Sequence, residues 1–227
     1  MPGLHQVSRA ADKDLNALKF LEERRERVSS PEENLILVDE NDHELGGMSK
    51  FDCHQGDGVL HRAFSIFIFN SADELILQQR SSVKPLWPLY WSNTCCSHPR
   101  TGESMEVATS RRLKEEIGIN CLMSYLYKFK YQANYKDIGA ERELCSVFVG
   151  RSDGPFDPNM EELAAMRSIG IDELSAELEN NPGDYTPWFK MEWSVIRSRI
   201  DECGGSVTQF LAEIKSSNEV RQLKESV

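Results

Sequence analysis

The sequence predicts an α/β (α+β) fold in which a mixed β-sheet lies between helices. Strand and helix patterns alternate along most of the chain, and HRAFSIFIF (61–69) is apolar on both faces, as in a central strand covered on both sides. The 227 residues are 40% hydrophobic and 28% charged, which suits a buried core. We expect a helical N-terminal extension over 1–33, a main domain over 34–203 and a C-terminal helix or tail over 204–227.

The strands are predicted from apolar runs bounded by turn residues. ELILQQR (74–80) follows HRAFSIFIF after the turn Asn70–Asp73, so the two are expected to pair as a hairpin. YLYKFKYQA (125–133) alternates strictly and predicts one face that carries Tyr125, Tyr127, Phe129 and Tyr131. The remaining predicted strands are LILV (35–38) and ERELCSVFV (141–149).

Four helices are predicted. The N-terminal one is an amphipathic surface helix over 12–28 that ends at Ser29-Ser30-Pro31. The second covers 103–117 and stops at Gly118. The others cover 172–180 and begin at Thr186-Pro187, with Thr as N-cap.

Charge and cysteine content limit the function classes. With 26 basic and 37 acidic residues, the net charge of −11 disfavours general binding to nucleic acid or an anionic membrane. An anionic ligand would need locally gathered cations or a metal. The start of the chain has no apolar signal region, no stretch could span a bilayer, and the six cysteines are expected to be reduced thiols. We therefore expect a cytoplasmic protein.

Histidines and glutamates form a candidate metal site. His54 and His61 are joined by a short turn, and Glu141 and Glu143 are two apart on a strand, so both side chains leave one face. Two close carboxylates repel unless a cation or a proton separates them. With His98, these residues offer three imidazoles and two carboxylates to a divalent metal. The competing interpretation is surface histidines beside a solvated strand edge.

SNTCCSHP (92–99) carries a candidate nucleophile or acid. If the segment is extended, Cys95 and Cys96 face opposite sides of the sheet, so only one can reach a given pocket. A lone buried cysteine usually serves as a small hydrophobic residue. A nearby His98 and a metal favour chemistry for one of them.

Charged side chains near one end of the sheet suit a phosphorylated ligand. On the predicted helix, Arg112 and Glu116 are four apart, which fits either an ordinary ion pair or an Arg for phosphate and a carboxylate for Mg²⁺. Lys50, Arg80 and Lys84 are either solvated or gathered on loops around a diphosphate.

These motifs together resemble the type 1 isopentenyl diphosphate isomerases, a branch of the Nudix superfamily, from about residue 35 to 197. The motifs are K-x3-H (50–54), H-R-A-F-S (61–65), W-x-N-T-C-C-S-H-P (91–99), the R-R-x-K-x-E-x-G run, E-x-E-x-C (141–145) and T-P-W (186–188). The Nudix box is degenerate. Ser97 stands at the first Gly and Arg112 where Glu is usual, whereas Glu103, Arg111, Glu115, Glu116 and Gly118 are kept.

The resemblance implies a fold and a set of catalytic and metal-binding residues. The fold is a Nudix-like mixed sheet sandwiched between helices. Cys96 is implied to be the catalytic thiol, Glu143 the catalytic carboxylate that also touches the metal, and Tyr131 a hydrogen-bond partner near it. The implied protein-bound metal, Mg²⁺, Mn²⁺ or Zn²⁺, is held by His54, His61, His98, Glu141 and Glu143.

The resemblance also implies a substrate and the residues that bind it. A second Mg²⁺ arrives with the diphosphate at Glu116 and the Cys96 backbone carbonyl. The implied substrate contacts are Lys50, Arg80, Lys84 and Arg112 for the diphosphate and Trp188 for the isoprenoid carbons. The implied activity is an isopentenyl-diphosphate delta-isomerase in isoprenoid biosynthesis, which shifts a double bond through a tertiary carbocation.

Two other functions compete with the isomerase. One is a Nudix hydrolase of nucleoside diphosphate derivatives, disfavoured by Arg112 in the box and by the trio Cys96, Glu143 and Trp188. The other is a non-catalytic metal-binding scaffold. In either enzyme class we expect a monomer whose partner is a small-molecule substrate.

Overall fold

A central mixed sheet organises the part of the chain that the computed structural model describes, residues 28–225. Within that part the strands are β1 Asn34–Val38, β2 Glu44–Ser49, β3 His61–Phe69, β4 Leu75–Arg80, β5 Trp91–Ser92, β6 Cys95–Ser97, β7 Met123–Tyr135, β8 Gly139–Arg151 and β9 Leu163–Ile169. The helices are α1 Lys50–Cys53, α2 Met105–Ile117, α3 Ile171–Asn180, α4 Pro187–Glu202 and α5 Val207–Glu225. The mixed α/β fold is thereby confirmed, whereas residues 12–27 of the helix predicted over 12–28 lie outside the described residues.

β3 is the central strand, as its two apolar faces predict. It pairs in parallel with β8 along its whole length and antiparallel with β6 and, at its end, with β4. On one face its residues Phe64, Ile66 and Ile68 belong to a buried cluster with α2. On the other face Phe67 and Phe69 are buried with residues of α4 and α5. The sheet is therefore covered on both sides, which explains the absence of alternation in 61–69.

The segment 92–99 is extended but interrupted between β5 and β6. The side chains of Asn93 and Thr94 replace ladder bonds there, since the Asn93 amide donates to the Ile66 carbonyl at 3.3 Å and Thr94 Oγ1 accepts from the Ile68 amide at 2.9 Å. Both side chains are buried. The break lets β6 pair with β3 while β5 pairs with β4.

The helix α2 begins and ends at the residues that its sequence predicts, within two positions. Ser104 is the N-cap and accepts a hydrogen bond from the Val107 amide at 3.3 Å. Gly118 ends the helix with φ of 80°, and a Cβ there would lie 2.7 Å from the Asp157 side chain. A glycine is required at this position for both reasons.

The C-terminal helix α5 packs on the core rather than standing apart. Val207, Phe210 and Ile214 are buried in the same cluster as Phe67 and Phe69. The short apolar patch that the sequence shows in 207–214 is therefore the inward face of this helix. No helix within residues 28–225 combines the length and the apolar character that crossing a bilayer requires.

The prediction that Tyr125 shares a face with Tyr127 is wrong. The register of β7 against β8 shifts between these residues, so Tyr125 pairs with Phe148 whereas Tyr127 pairs with Val147. A bulge of this kind inserts one extra residue and reverses the side-chain alternation on one side of it. Tyr127, Phe129 and Tyr131 remain on one face, and each ring contacts the next.

Candidate active site

Strand register brings the catalytic candidates to one face of the sheet. Glu143 of β8 pairs with His61 of β3 and with Tyr131 of β7, so the three form a row across the strands. Cys96 of β6 pairs with Ser65 of β3. Because positions 61 and 65 point to the same side of a strand, Cys96 and Glu143 lie on the same face.

The paired cysteines face opposite sides, as predicted. Cys95 is fully buried among Phe64, Ile66 and Leu113 on the α2 side. Cys96 faces a cavity on the other side of the sheet, whereas Cys95 packs in the hydrophobic core. The alternation of a strand thus decides which thiol is available for chemistry.

A cavity of about 430 Å³ gathers most of the predicted site residues. The predicted residues that line it are Lys50, His54, Arg80, Lys84, Cys96, His98, Tyr131, Glu141, Glu143 and Trp188. His61 lies just behind, fully buried, against the ring of His54. Arg112 and Glu116 are buried side by side as an ion pair and are not among the lining residues, so their direct contact with substrate stays a prediction.

The three histidines and two glutamates predicted to bind the metal form one cluster. One ligand atom from each of His54, His61, His98, Glu141 and Glu143 lies within 4.8 Å of the others. The interpretation as surface histidines is wrong, since all five side chains are at least nine-tenths buried. His54 and Glu141 approach to 2.6 Å, and His98 and Glu143 to 3.1 Å.

The backbone orients the imidazoles toward the centre of this cluster. His54 Nδ1 donates to the Lys50 carbonyl at 2.5 Å and His61 Nδ1 to the Val59 carbonyl at 2.7 Å. The Nε2 atom of each ring is thereby turned toward the carboxylates, and a metal-binding histidine whose Nδ1 has a backbone partner coordinates through this atom. Gly139 allows this packing, because a Cβ there would lie 2.3 Å from the His54 carbonyl oxygen.

The charges of the cluster fit a divalent cation. Burial, and next to it the charge of His54, lower the pKa of His61 to about 4, so His61 is a neutral ligand near pH 7. Burial and then the charge of Glu141 raise the pKa of Glu143 well above its usual range. Buried His61 Nε2 has no hydrogen-bond partner among the described residues. An unpartnered imidazole nitrogen beside two mutually repelling carboxylates is the donor set that a divalent metal satisfies.

We expect His61→Asn to weaken metal binding about 100-fold or more, since even outer-shell changes cost about 10–100-fold. Metal content and affinity would be measured by elemental analysis and by titration with Zn²⁺ and Mn²⁺. His43→Asn is the matched control, because the His43 side chain is 75% exposed and pairs with Asp39 away from the cluster. Equal metal binding by the two variants would contradict the assignment.

The thiol lies beside an aromatic and cationic wall. Arg80 Nη1 is 4.0 Å from Cys96 Sγ, and its guanidinium carbon stands 5.2 Å from the centre of the Trp188 ring. Arg80 is held by the carbonyls of Leu86 and Trp87 at 2.9 and 3.0 Å. Burial raises the pKa of Cys96 to about 12, although Arg80 opposes the effect, so the thiol keeps its proton near pH 7.

Trp188 and Tyr131 line the cavity, and the buried Trp87 packs against Trp188. The Trp188 ring lies 5.2 Å from Trp87 in an edge-on contact and 6.2 Å from Tyr131. Tyr131 donates a hydrogen bond to Glu143 at 2.8 Å. The acid is thereby tied to the aromatic wall, and its hydrogen-bond partner is the tyrosine that the family resemblance implies.

The other end of the cavity is basic. Lys50 and Lys84 line it, and burial followed by repulsion from Lys84 and Arg112 lowers the pKa of Lys50 to about 8. Cations that repel one another in a partly enclosed site are stabilised by an anion with several charges. Lys84 also pairs with Glu162, a buried acid that the sequence analysis did not single out.

A second buried acid, Glu192, is likewise not among the residues predicted from the sequence. It lies on α4 one turn after Trp188 and faces Cys145, whose Sγ is 3.7 Å from its Oε1. Burial raises the pKa of Glu192 to about 8, above the value of 4.5 for an exposed glutamate. Its only sequence signal is a charged residue at an inward helix position.

We expect Glu192 to make stability fall as pH rises. Between about pH 4.5 and pH 8 the folded chain keeps the Glu192 proton, whereas the unfolded chain has released it. The free energy of unfolding therefore falls by on the order of 4 kcal/mol from pH 5 to pH 8.5 because of this group. Glu192→Gln removes the effect, and urea unfolding at both pH values measures it. Parallel changes in stability of wild type and variant would contradict the protonated state.

A comparison with family models identifies the class of protein. The NUDIX domain model matches residues 59–189, more than half of the chain. Among solved structures, the DR0079 protein of Deinococcus radiodurans has a TM-score of 0.55 at 22% identity and covers 66% of this chain and 90% of its own. A MutT protein of Methanosarcina mazei has a TM-score of 0.52 at 14% identity, over 63% and 95%. These two likenesses concern the fold alone. The class is that of NUDIX-domain proteins.

Curated relatives narrow the class. Isopentenyl-diphosphate Delta-isomerase 1 of Photorhabdus laumondii is 47% identical over 75% of this chain and 98% of its own length. An isopentenyl-diphosphate Delta-isomerase 1 of Aromatoleum aromaticum is 44% identical over 70% and 89%. The corresponding isomerase of Nocardia farcinica is 40% identical over 74% and 97%. The chain belongs to the isopentenyl-diphosphate Delta-isomerase branch of the NUDIX family.

Proposed function

We propose that this protein interconverts isopentenyl diphosphate and dimethylallyl diphosphate, with Cys96 and Glu143 as the two groups that exchange protons with the substrate. The observation that carries the proposal is a single cavity with a basic end, an aromatic wall, and both a thiol and a carboxyl group. A nucleotide hydrolase has no need of a thiol beside an aromatic wall.

The basic end would bind the diphosphate. Lys50, Arg80 and Lys84 provide charged donors around the cavity, while Arg112 adds positive charge from beneath it. Charge-assisted hydrogen bonds to phosphate oxygens are among the strong ones in proteins. This local gathering of cations lets a protein with a net charge of −11 hold an anion. A second Mg²⁺ would enter with the diphosphate near Glu116 and the Cys96 carbonyl.

The other end would carry out the double-bond shift. An unactivated alkene is a very weak base, so one group must deliver a proton to one terminus while another removes a proton from the far carbon. Cys96 and Glu143 take these roles, and they exchange them between the forward and reverse directions. Trp188 faces the tertiary cation, which a ring stabilises by about 2 kcal/mol or more in a dry pocket. A ring has no lone pair that would trap the cation.

The His/Glu cluster would hold a resident divalent metal, Mg²⁺, Mn²⁺ or Zn²⁺. When bound, the metal lowers the pKa of the carboxyl group that it contacts. Tyr131 keeps Glu143 aimed into the cavity through its hydrogen bond. Exclusion of water by the surrounding aromatic side chains prevents hydration of the cation.

We further propose that the protein works as a monomer in the cytoplasm. Light scattering coupled to size-exclusion chromatography would test the oligomeric state, and cell fractionation would test the location.

Proton NMR of isopentenyl diphosphate with the purified chain and Mg²⁺ in deuterated water tests the proposal. We expect the exomethylene signals to give way to those of the allylic isomer, with deuterium entering the methyl carbon that accepts the proton. Phosphate release from nucleoside diphosphate derivatives, measured in parallel, should stay at background. Robust phosphate release without an allylic product would overturn the proposal in favour of a hydrolase.

A further inference from the structure

The chain segment that precedes β1, residues 28–33, is fastened beside the cavity. The amides of Val28 and Ser29 donate to Glu162 Oε1 at 2.8 and 2.7 Å. Further along, the Lys50 amide donates to the Glu33 carbonyl at 2.7 Å and the Phe51 amide to the Pro31 carbonyl at 3.0 Å. This segment therefore has a defined path over the start of α1, where the basic end of the cavity lies.

One carboxylate oxygen of Glu162 binds this segment, and the other faces the cations. Its carboxylate is buried, Oε1 accepts the two amides, and Oε2 pairs with Lys84 and lies 3.8 Å from Arg112. A buried carboxylate with partners at both oxygens holds a fixed orientation. The position of Ser29 relative to Lys84 and Arg112 is thus set by one side chain.

The Ser29 hydroxyl lies between the cations and the cavity. Its Oγ accepts from Arg112 Nη2 at 3.1 Å and from Lys50 Nζ at 3.4 Å, and Ser29 itself lines the cavity. A hydroxyl that accepts from two cations still has its own proton to donate. Arg112 is only 1% exposed and does not line the cavity, so Ser29 stands where an anion would otherwise meet that guanidinium.

We propose that Ser29 binds the substrate's diphosphate by donating its hydroxyl proton to a phosphate oxygen, and that Glu162 is the positioning residue that holds Ser29 there. The inference rests on the proposed function for the identity of the ligand. The two cations polarise the hydroxyl and strengthen it as a donor. Arg112 would then act on the diphosphate through Ser29 as well as through its charge.

Calorimetric titration of the full chain with pyrophosphate in the presence of Mg²⁺ tests the role of Ser29. We expect Ser29→Ala to weaken binding about tenfold, the loss typical of one hydrogen bond to a charged group. Ser29→Thr should restore most of the affinity because it keeps the hydroxyl. Ser217→Ala is the matched control, since the exposed Ser217 hydroxyl donates to the Glu213 carbonyl on α5 and Ser217 does not line the cavity.

Three outcomes would overturn the proposal. The first is equal pyrophosphate affinity of Ser29→Ala and Ser217→Ala. The second is failure of Ser29→Thr to bind better than Ser29→Ala. The third is tighter binding by Ser29→Ala, which would make Ser29 a plug that competes with the anion for Arg112.

Glu162→Gln and the double variant with Ser29→Ala test the positioning role. If Glu162 acts through Ser29, the two losses of pyrophosphate affinity are not additive, and the KM for isopentenyl diphosphate rises while kcat changes less. Additive losses would overturn this part. If circular dichroism shows that Glu162→Gln does not fold, Glu162→Asp, which keeps the charge on a shorter side chain, takes its place.

Pyrophosphate binding needs no turnover, so it distinguishes this inference from the proposed function. A wild-type protein that binds pyrophosphate without isomerising isopentenyl diphosphate would refute the proposed function and leave Ser29 as an anion ligand.

Discussion

Replacing Cys96 by alanine should lower kcat for isopentenyl diphosphate isomerisation by about 10³-fold or more, the upper part of the range for a general acid or base. The thiol faces the cavity, and burial raises its pKa to about 12, so it carries a proton near pH 7 and its thiolate is a strong base. Alanine can neither give nor take a proton. The measurement is the initial rate of allylic product formation, followed by NMR at saturating substrate.

Cys95→Ala is the matched control for this substitution. Its thiol is buried against α2 on the opposite face, so its loss should reduce stability by a cavity effect and change kcat by less than about threefold. Binding of Mg²⁺–pyrophosphate should be kept in both variants. A Cys96→Ala protein with nearly full activity, or a Cys95→Ala protein that folds and is equally inactive, would contradict the role of Cys96.

Glu143→Gln should cost a comparable factor in kcat, about 10³-fold. Glutamine keeps the size of the side chain and can still accept the hydrogen bond that Tyr131 donates at 2.8 Å. It cannot carry the transferable proton, and it replaces a charged metal ligand by a weaker neutral one. Metal content, measured on the same samples, separates these effects, since a variant that keeps its metal and loses its rate has lost proton transfer.

Tyr131→Phe gives the graded comparison for Glu143→Gln. The ring and its contact with Trp188 remain, and only the hydrogen bond to Glu143 is removed. The expected loss is about tenfold, far below that of Glu143→Gln. If the glutamine variant were no slower than the phenylalanine variant, Glu143 would not be a proton-transfer group.

Residues whose role follows from strand alternation could be predicted from the sequence. The opposite orientation of Cys95 and Cys96 and the common face of Glu141 and Glu143 need only an extended backbone, and the structure has both. The same logic failed at Tyr125, because the bulge in β7 leaves no recognisable mark in a strictly alternating sequence. Alternation in the sequence therefore predicts which face a side chain occupies only along a stretch of strand without a bulge.

Residues whose role depends on distant partners could not be predicted. Glu162 gains its importance from the amides of Val28 and Ser29, more than 130 positions away. Glu192 is one of many glutamates in the chain until α4 buries it over Cys145. The sequence predicts that Arg112 and Glu116 are neighbours on a helix, but their burial beneath Ser29 depends on the packing of α2 under the N-terminal segment.

A crystal structure with Mg²⁺ and isopentyl diphosphate, the saturated and unreactive analogue of the substrate, would show whether Cys96 and Glu143 flank the reacting carbons. We expect the diphosphate among Lys50, Arg80 and Lys84, and the branched carbons against Trp188. Cys96 Sγ and a carboxylate oxygen of Glu143 should stand on opposite sides of the chain, each within about 4 Å of the carbons that would react. The roles of Cys96 and Glu143 would be contradicted if the hydrocarbon chain of the analogue were bound away from either group. They would also be contradicted if the sulfur and the carboxylate lay on the same side of that hydrocarbon chain.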